Sequence, residues 1–142
     1  MESTYILHEM ISYIESLDTV TPEMLEGFFE GWPNPPSPEM HLQILRGSYR
    51  VVLAMDNNRV IGFVNALSDG HLTAFLPLLE VLPEYRGEGV GSELVRRISE
   101  RLGDLYALDL ICDSDLQPFY ERLGWLRTGG MSVRNYHHQS GT

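Results

Sequence analysis

The sequence predicts an α/β protein with a mixed central sheet of six to seven strands and about four flanking helices. Three observations predict it. Apolar and β-branched runs of strand length alternate with amphipathic helical stretches. A proline-containing turn and three closely spaced glycines join an apolar strand to the best helix of the chain. The composition is that of a globular domain: 142 residues, 43% apolar and 21% charged. That length supports one real core and not two, so residues 1–142 are expected to form a single domain.

Each element has its own warrant. Tyr5 to Leu17 mixes β-branched, aromatic and polar residues, and a strand is expected within it. Thr21-Pro22-Glu23 is a good helix start, with Thr as N-cap, and Met24, Leu25, Phe28 and Phe29 make an apolar stripe behind it. Gly31 to Pro38 breaks that helix, since Trp32-Pro33-Asn34-Pro35-Pro36-Ser37-Pro38 cannot continue it, and a second short one is predicted from Pro38 to Arg46, ending near Gly47. Tyr49 to Met55 and Arg59 to Leu67 flank Asp56-Asn57-Asn58 and read as a hairpin. A third strand runs from Ala74 to Val81, where Pro77 marks an edge or a bulge.

The second half begins with a helix from Gly91 to Leu102. Leu94, Val95, Ile98 and Leu102 share its apolar face, and Gly103 ends it. Ala107 to Cys112 is a near-continuous apolar strand of the buried parallel kind. Asp115 can cap a helix over Leu116 to Leu123, and Trp125 to Tyr136 should hold two short strands around Gly129-Gly130. The tail from His137 reads as frayed surface, not as a metal site.

The bulk numbers narrow the partners. Twenty acidic against ten basic residues give a net charge of −10. Such a surface repels nucleic acid and anionic lipid, so no nucleic acid and no membrane partner is expected. It favours a cationic amine, although a solubilising surface explains it equally. Cys112 is the lone cysteine and reads as a small core residue. The first residues lack the basic start and apolar run of a signal peptide, and no stretch approaches a membrane span, so a cytoplasmic protein is expected.

The chemistry concentrates in Val81-Leu82-Pro83-Glu84-Tyr85-Arg86-Gly87-Glu88-Gly89-Val90-Gly91-Ser92. Glycines crowded at a helix start let the backbone approach a ligand and leave N–H groups pointing outward. Those donors and the helix dipole suit a phosphate or pyrophosphate. The segment is no P-loop, since no lysine follows, and the Gly87-x-Gly89-x-Gly91 spacing differs from a dinucleotide fingerprint. What remains, Arg86-x-x-Gly89-x-Gly91 after Val81-x-Pro83-Glu84-Tyr85, resembles the acetyl-CoA signature of the GNAT superfamily of N-acetyltransferases. Pro118-Phe119-Tyr120-Glu121-Arg122-Leu123-Gly124-Trp125 resembles that superfamily's aromatic-Tyr-x-x-Leu-Gly-aromatic segment.

The resemblance implies acetyl transfer from acetyl-CoA to the primary amine of a small molecule or peptide by direct attack, with no metal. Backbone N–H groups of Arg86, Gly87, Glu88, Gly89, Val90 and Gly91 would hold the pyrophosphate, and Ser92 would add a hydroxyl. Glu88 and Glu93 should then point into solvent. The N–H of Leu79 or a near neighbour would face the thioester oxygen, and Val81 would pair with the pantetheine arm. Tyr120 would serve the leaving thiolate, or else be a core residue of its helix. Asp113 stands where many relatives carry an Asn against the pantetheine arm, and Asp cannot donate as Asn does.

The base is open. Glu80 is the carboxylate within the central strand, where burial raises a carboxyl's pKa, but alternation puts it opposite Leu79 and Val81. Asp69 and His71 are alternatives, as is water leading to the acidic surface. Asn65, Asp69 and Tyr136 are candidate linings of an acceptor pocket, and Trp32 is either its lid or a core anchor. A non-catalytic CoA-binding sensor or interaction module is the competing reading. Dimers are common among the relatives, and a homodimer stays open.

Overall fold

The computed structural model describes residues 11–142. Among the described residues, six strands form one mixed sheet: β1 (Ile11–Ile14), β2 (Arg50–Asp56), β3 (Arg59–Ser68), β4 (Thr73–Phe75), β5 (Leu79–Val81) and β6 (Ala107–Asp109). Three α-helices among these residues flank it: α1 (Pro38–Arg46), α2 (Val90–Arg101) and α3 (Gln117–Arg122). The strand order is β1-β2-β3-β4-β6, and β5 pairs separately with β3. All pairings are antiparallel except β4 with β6. The strands read from Tyr5–Leu17, Tyr49–Met55 and Arg59–Leu67 are present, the first of them at Ile11–Ile14. Residues 5–10 lie outside the described ones.

The central strands are buried on both faces, which is why they read as continuous apolar runs. Val51, Leu53 and Met55 of β2 pack under α1 with Leu42, Leu45 and Phe63. Val52 and Ala54 point the other way, against Leu94 and Ile98 of α2. The register shifts where Ala54 faces Gly62 and Met55 faces Val60, so Ile61 is the extra residue of a bulge. α1 starts as predicted: the Ser37 hydroxyl accepts from the Met40 N–H at 3.1 Å, with Pro38 at its first position.

Five expectations change, the first being the buried strand over Ala107 to Cys112, which is only β6 (Ala107–Asp109), at the sheet's edge with none of residues 107–112 buried. The helix after Thr21 is only a 3-10 turn over Pro22–Leu25. Gly27, Phe29 and Gly31 take left-handed φ of 99°, 65° and 81°, so the apolar stripe is buried by turns instead of by a helix. The strand from Ala74 to Val81 is split into β4 and β5. Between the pairs Val64↔Leu79 and Leu67↔Phe75, β3 advances three residues and its partner four. The extra residue is the bulge that Pro77 announced. Asp115 sits inside a 3-10 turn over Ser114–Leu116 with Asp113 at its N-cap, and α3 follows from Gln117. No strand forms between Trp125 and Tyr136; residues 126 to 138 are all exposed, and a 3-10 turn spans Tyr136–His138.

Gly62 lets α2 lie on β3. A Cβ there would stand 3.2 Å from Leu94 Cδ1 and 3.3 Å from Val90 Cγ1. Gly62→Ala is therefore expected to overpack the start of α2 and destabilise the fold by about 1–3 kcal/mol. A lowered urea midpoint at unchanged slope would show it.

Candidate functional site

The site is built where the sheet splits. β4 and β6 run together through Phe75↔Asp109, and the Leu76 N–H donates to the Asp109 carbonyl at 2.9 Å. Beyond that bond β5 turns to β3 alone. The register fixes where its backbone points. The Asn65 N–H donates to the Leu78 carbonyl at 3.3 Å and the Leu82 N–H to the Ile61 carbonyl at 2.8 Å. Hydrogen-bonded pairs alternate along an antiparallel ladder. Glu80 therefore exchanges its bonds with Phe63, and the N–H groups of Leu79 and Val81 point away from β3, toward the split.

β5 leads into the glycine segment. A 3-10 turn over Pro83–Tyr85 buries Tyr85, whose hydroxyl donates to the Asp56 carboxylate at the end of β2. That bond and burial push the Tyr85 phenol up to about 12, so it stays a donor. The Arg86 N–H donates to the Pro83 carbonyl at 3.3 Å, and its Nε donates to the Val81 carbonyl at 2.8 Å. Gly87 and Gly89 take left-handed φ of 79° and 84°, and a Cβ on either would meet nothing within 4 Å. The first helical bond of α2 runs from the Glu93 N–H to the Gly89 carbonyl at 3.0 Å. The N–H groups of Val90, Gly91 and Ser92 thus have no intrahelical acceptor. This end of α2 is open and carries backbone donors of the kind that suit an anion.

The charges around this helix start are arranged differently from the expectation. Glu93 does not point free into solvent; it is bound by Arg96 at 2.5 Å and Arg97 at 2.6 Å. Those hydrogen bonds, Arg96 first, hold its carboxyl down to about 2. Its charge is neutralised locally and does not oppose an anion. Glu88 is half-buried.

Tyr120 approaches from the other side of the split. α3 packs on the start of α2: a Cβ at Gly91 would lie 3.6 Å from the Phe119 ring and 3.8 Å from Val81 Cγ2. Tyr120 stacks edge-on with Phe119 and Trp125 and lines a groove with Phe75, Asp109, Leu110 and Cys112. Burial pushes its phenol up to about 12, and the neighbouring Cys112 adds to the shift. Asp113 heads the 3-10 turn before α3, its carbonyl accepting from the Leu116 N–H at 3.0 Å and its side chain capping nothing.

Glu80 lies on the opposite face of β5. Its carboxylate accepts from the Phe29 N–H at 2.8 Å and the Glu30 N–H at 3.2 Å, tying the 26–32 loop to the sheet. Asp69 is a turn clamp: its Oδ1 accepts from the N–H groups of Leu72, His71 and Thr73. These bonds, Leu72 foremost, lower its pKa. Asn65 is buried and its amide donates to the Ser48 hydroxyl at 3.0 Å. Tyr136 is exposed in the tail, and Trp32 packs edge-on against Phe29 at the rim of the aromatic core. Among the described residues no cluster of three or more His, Cys, Asp or Glu is placed to hold a metal, and no helix is long and apolar enough to cross a membrane.

Sequence reasoning missed three supports of the site: the Tyr85–Asp56 bond, the Phe119 contact with the start of α2, and the loop clamp of Glu80. Only the first carried a signal, a tyrosine before the glycines, and nothing in the sequence named its distant partner.

Comparisons with known proteins show the family and the fold. The profile of the Acetyltransferase (GNAT) family matches residues 17–125. A crystal structure of a candidate acetyltransferase from Deinococcus radiodurans R1 is 53% identical, with a TM-score of 0.93, over 95% of each chain. N-alpha-acetyltransferase 30 of Schizosaccharomyces pombe is 30% identical over 84 residues, 53% of this chain and 56% of the relative. GCN5-related N-acetyltransferase 3, chloroplastic, of Arabidopsis thaliana is 36% identical over 77 residues, 53% of this chain and 32% of the relative. The chain thus spans between a third and just over half the length of these two curated relatives.

Proposed function

The chain belongs to the acetyltransferase (GNAT) family, and from that premise we propose that it moves an acetyl group from acetyl-CoA to a primary amine by direct attack. One observation carries the reading. The backbone donors of Leu79 and Val81 face the split in the sheet, and that split ends at the open, left-handed glycine cradle of α2. A neutral row of main-chain donors leading to an anion site suits a long ligand with a diphosphate at one end.

Acetyl-CoA supplies an activated thioester; the residues of the chain do the rest. The N–H groups of Gly87 through Ser92, Glu88 aside, receive the diphosphate. The Leu79 N–H stabilises the oxygen that gains charge during attack. Arg86 fixes the end of β5 through the Val81 carbonyl. Tyr120 donates a hydrogen bond to the departing sulfur. With its phenol near 12 and a thiol's pKa near 8.5, full proton transfer to the thiolate is uphill by about 5 kcal/mol. Tyr120 thus acts as a hydrogen-bond donor and leaves final protonation to water.

Glu80 enters this reading as a positioning residue. Both its oxygens are bonded to the 26–32 loop, on the far face of β5. The amine's proton leaves through water toward the acidic surface. The net charge of −10 favours a cationic acceptor. The similarity to N-alpha-acetyltransferase 30 supports a peptide α-amine as one acceptor class.

The test is a melting curve with acetyl-CoA, followed by thiol release across a panel of amines and peptides. A ligand at 100 times its Kd adds about 2.7 kcal/mol of stability, so a clear rise in Tm is expected. The sequence holds ten arginines and no lysine, so released thiol is not confounded by acetylation of the enzyme's own lysines. Tyr120→Phe should lower kcat about tenfold with little change in acetyl-CoA affinity, the effect of one lost hydrogen bond. An unchanged Tm would sink the proposal. A raised Tm with no turnover on any amine would indicate a CoA-binding sensor.

A further inference from the structure

The two oxygens of the Asp56 carboxylate are treated differently. Asp56 closes β2 at the β2–β3 hairpin, where it stands opposite Arg59. Its Oδ2 accepts from the Tyr85 hydroxyl. Its Oδ1 is buried and has no hydrogen-bond partner among the described residues. A buried, unbonded carboxylate oxygen costs stability, and an orphan of this kind calls for a reason. The ring of Tyr85 supplies none. It is 7% exposed and packs with Ala54, Leu82 and Val90, a setting in which phenylalanine would bury as much apolar surface. An apolar pair at 56 and 85 would hold this corner at least as well.

The place of the pair supplies the reason. Tyr85 ends the 3-10 turn over Pro83–Tyr85, two residues before Gly87. A Cβ on Gly87 or Gly89 would meet nothing within 4 Å, so neither glycine is wedged in place. The segment is fixed from its two ends. On one side α2 packs on the sheet through Leu94 and Ile98. On the other, the Leu82 N–H donates to the Ile61 carbonyl at 2.8 Å, and the Tyr85 hydroxyl ties the turn to the end of β2. The bonds of Arg86 to the Pro83 and Val81 carbonyls are local and travel with the turn. The Arg59–Glu84 and Arg86–Glu30 pairs, at 3.8 and 3.4 Å, are about half exposed and contribute little. The Tyr85–Asp56 bond is thus the buried side-chain link that sets how the turn sits against the sheet.

We propose, on the acetyl-CoA reading of that segment, that Asp56 is a positioning residue for the cofactor: through the Tyr85 hydroxyl it fixes the Pro83–Tyr85 turn and so aims the N–H groups that follow at the diphosphate. Asp56 stands outside the row of donors and acts through Tyr85 alone. Donors held in place before the ligand arrives spare binding the cost of ordering them. A charged acceptor bonds a hydroxyl more strongly than a neutral one, which explains a carboxylate at this position. The unbonded oxygen lowers stability, and the geometry it accompanies raises affinity.

Affinity and stability should therefore part company, and calorimetric titration with acetyl-CoA beside ligand-free melting curves reads both. Tyr85→Phe should raise the acetyl-CoA Kd about tenfold, equal to about 1.4 kcal/mol. Asp56→Asn keeps a neutral acceptor for the phenol and should raise it only about threefold. Tyr85→Phe/Asp56→Leu removes the orphaned oxygen together with the bond. Its ligand-free Tm should be no lower than that of the native chain, while its Kd stays about tenfold higher. A double variant that binds acetyl-CoA as tightly as the native chain overturns the proposal. So does an affinity that falls only where Tm falls, or an Asp56→Asn variant as weak as Tyr85→Phe. A native chain that binds no acetyl-CoA overturns both this proposal and the function on which it rests.

Discussion

Leu79→Pro should lower kcat by about 100- to 1,000-fold and leave acetyl-CoA binding within a few-fold. The substitution deletes one backbone donor and shortens a side chain packed against the core, the second of which Leu79→Ala also does. The Leu79 N–H points away from β3, so the ladder between β5 and β3 loses no bond. A proline is tolerated where the missing N–H faces outward from a strand. The preceding Leu78 already follows Pro77, and its carbonyl keeps its bond from the Asn65 N–H. One donor aimed at developing oxyanion charge contributes roughly 2.7–4 kcal/mol, which sets the size of the loss. Leu79→Ala is the control: it trims the side chain and keeps the N–H. Thiol release and the acetyl-CoA melting shift, measured on both variants, separate turnover from binding. Equal kcat for the two variants would show that the charged oxygen sits elsewhere along β5.

The reason such a variant can be designed also explains what was legible in the chain. Local chemistry was readable: a helix starts at Pro38, Asp56-Asn57-Asn58 turns a hairpin, Pro77 breaks a strand, and the glycines from Gly87 leave the start of α2 open. Each of these outcomes is decided by a residue's own backbone limits. The sequence misled where tertiary contacts overrode a pattern. Met24, Leu25, Phe28 and Phe29 have helical spacing, but Glu80, about fifty positions away, binds the N–H groups of Phe29 and Glu30 and holds a looped path. Trp125 to Tyr136 has strand character but finds no partner strand among the described residues. The glycine cradle was visible because it lies in one continuous segment. The direction of the Leu79 N–H was not, because it follows from register with β3, which no local signal fixes.

A second distant consequence of packing lies at His41, and it sets the protein's response to acid. Its side chain is 1% exposed and ringed by Phe28, Phe29 and Phe63 at centroid distances of 5.4, 4.9 and 4.4 Å. Neither ring nitrogen has a hydrogen-bond partner among the described residues. Burial lowers its pKa to about 4. The unfolded chain, near 6.5, therefore binds more protons than the native one between about pH 6.5 and 4. The stability tied to neutral His41 is fully present above 6.5 and is lost as pH falls through that window. The loss at pH 5 is about 2 kcal/mol and approaches about 3 kcal/mol below pH 4. His41→Leu removes both the titration and the orphaned polar atoms, whose burial costs about 1–3 kcal/mol. It also forfeits edge-on ring contacts of about 1 kcal/mol, so its gain at pH 7.5 should be small. At pH 5 the variant should exceed the native protein by about 2 kcal/mol more than it does at pH 7.5. Urea unfolding of both proteins at the two pH values gives this difference of differences, in which shared carboxylate effects cancel. Parallel stability curves would mean that His41 reaches water or a partner when it protonates.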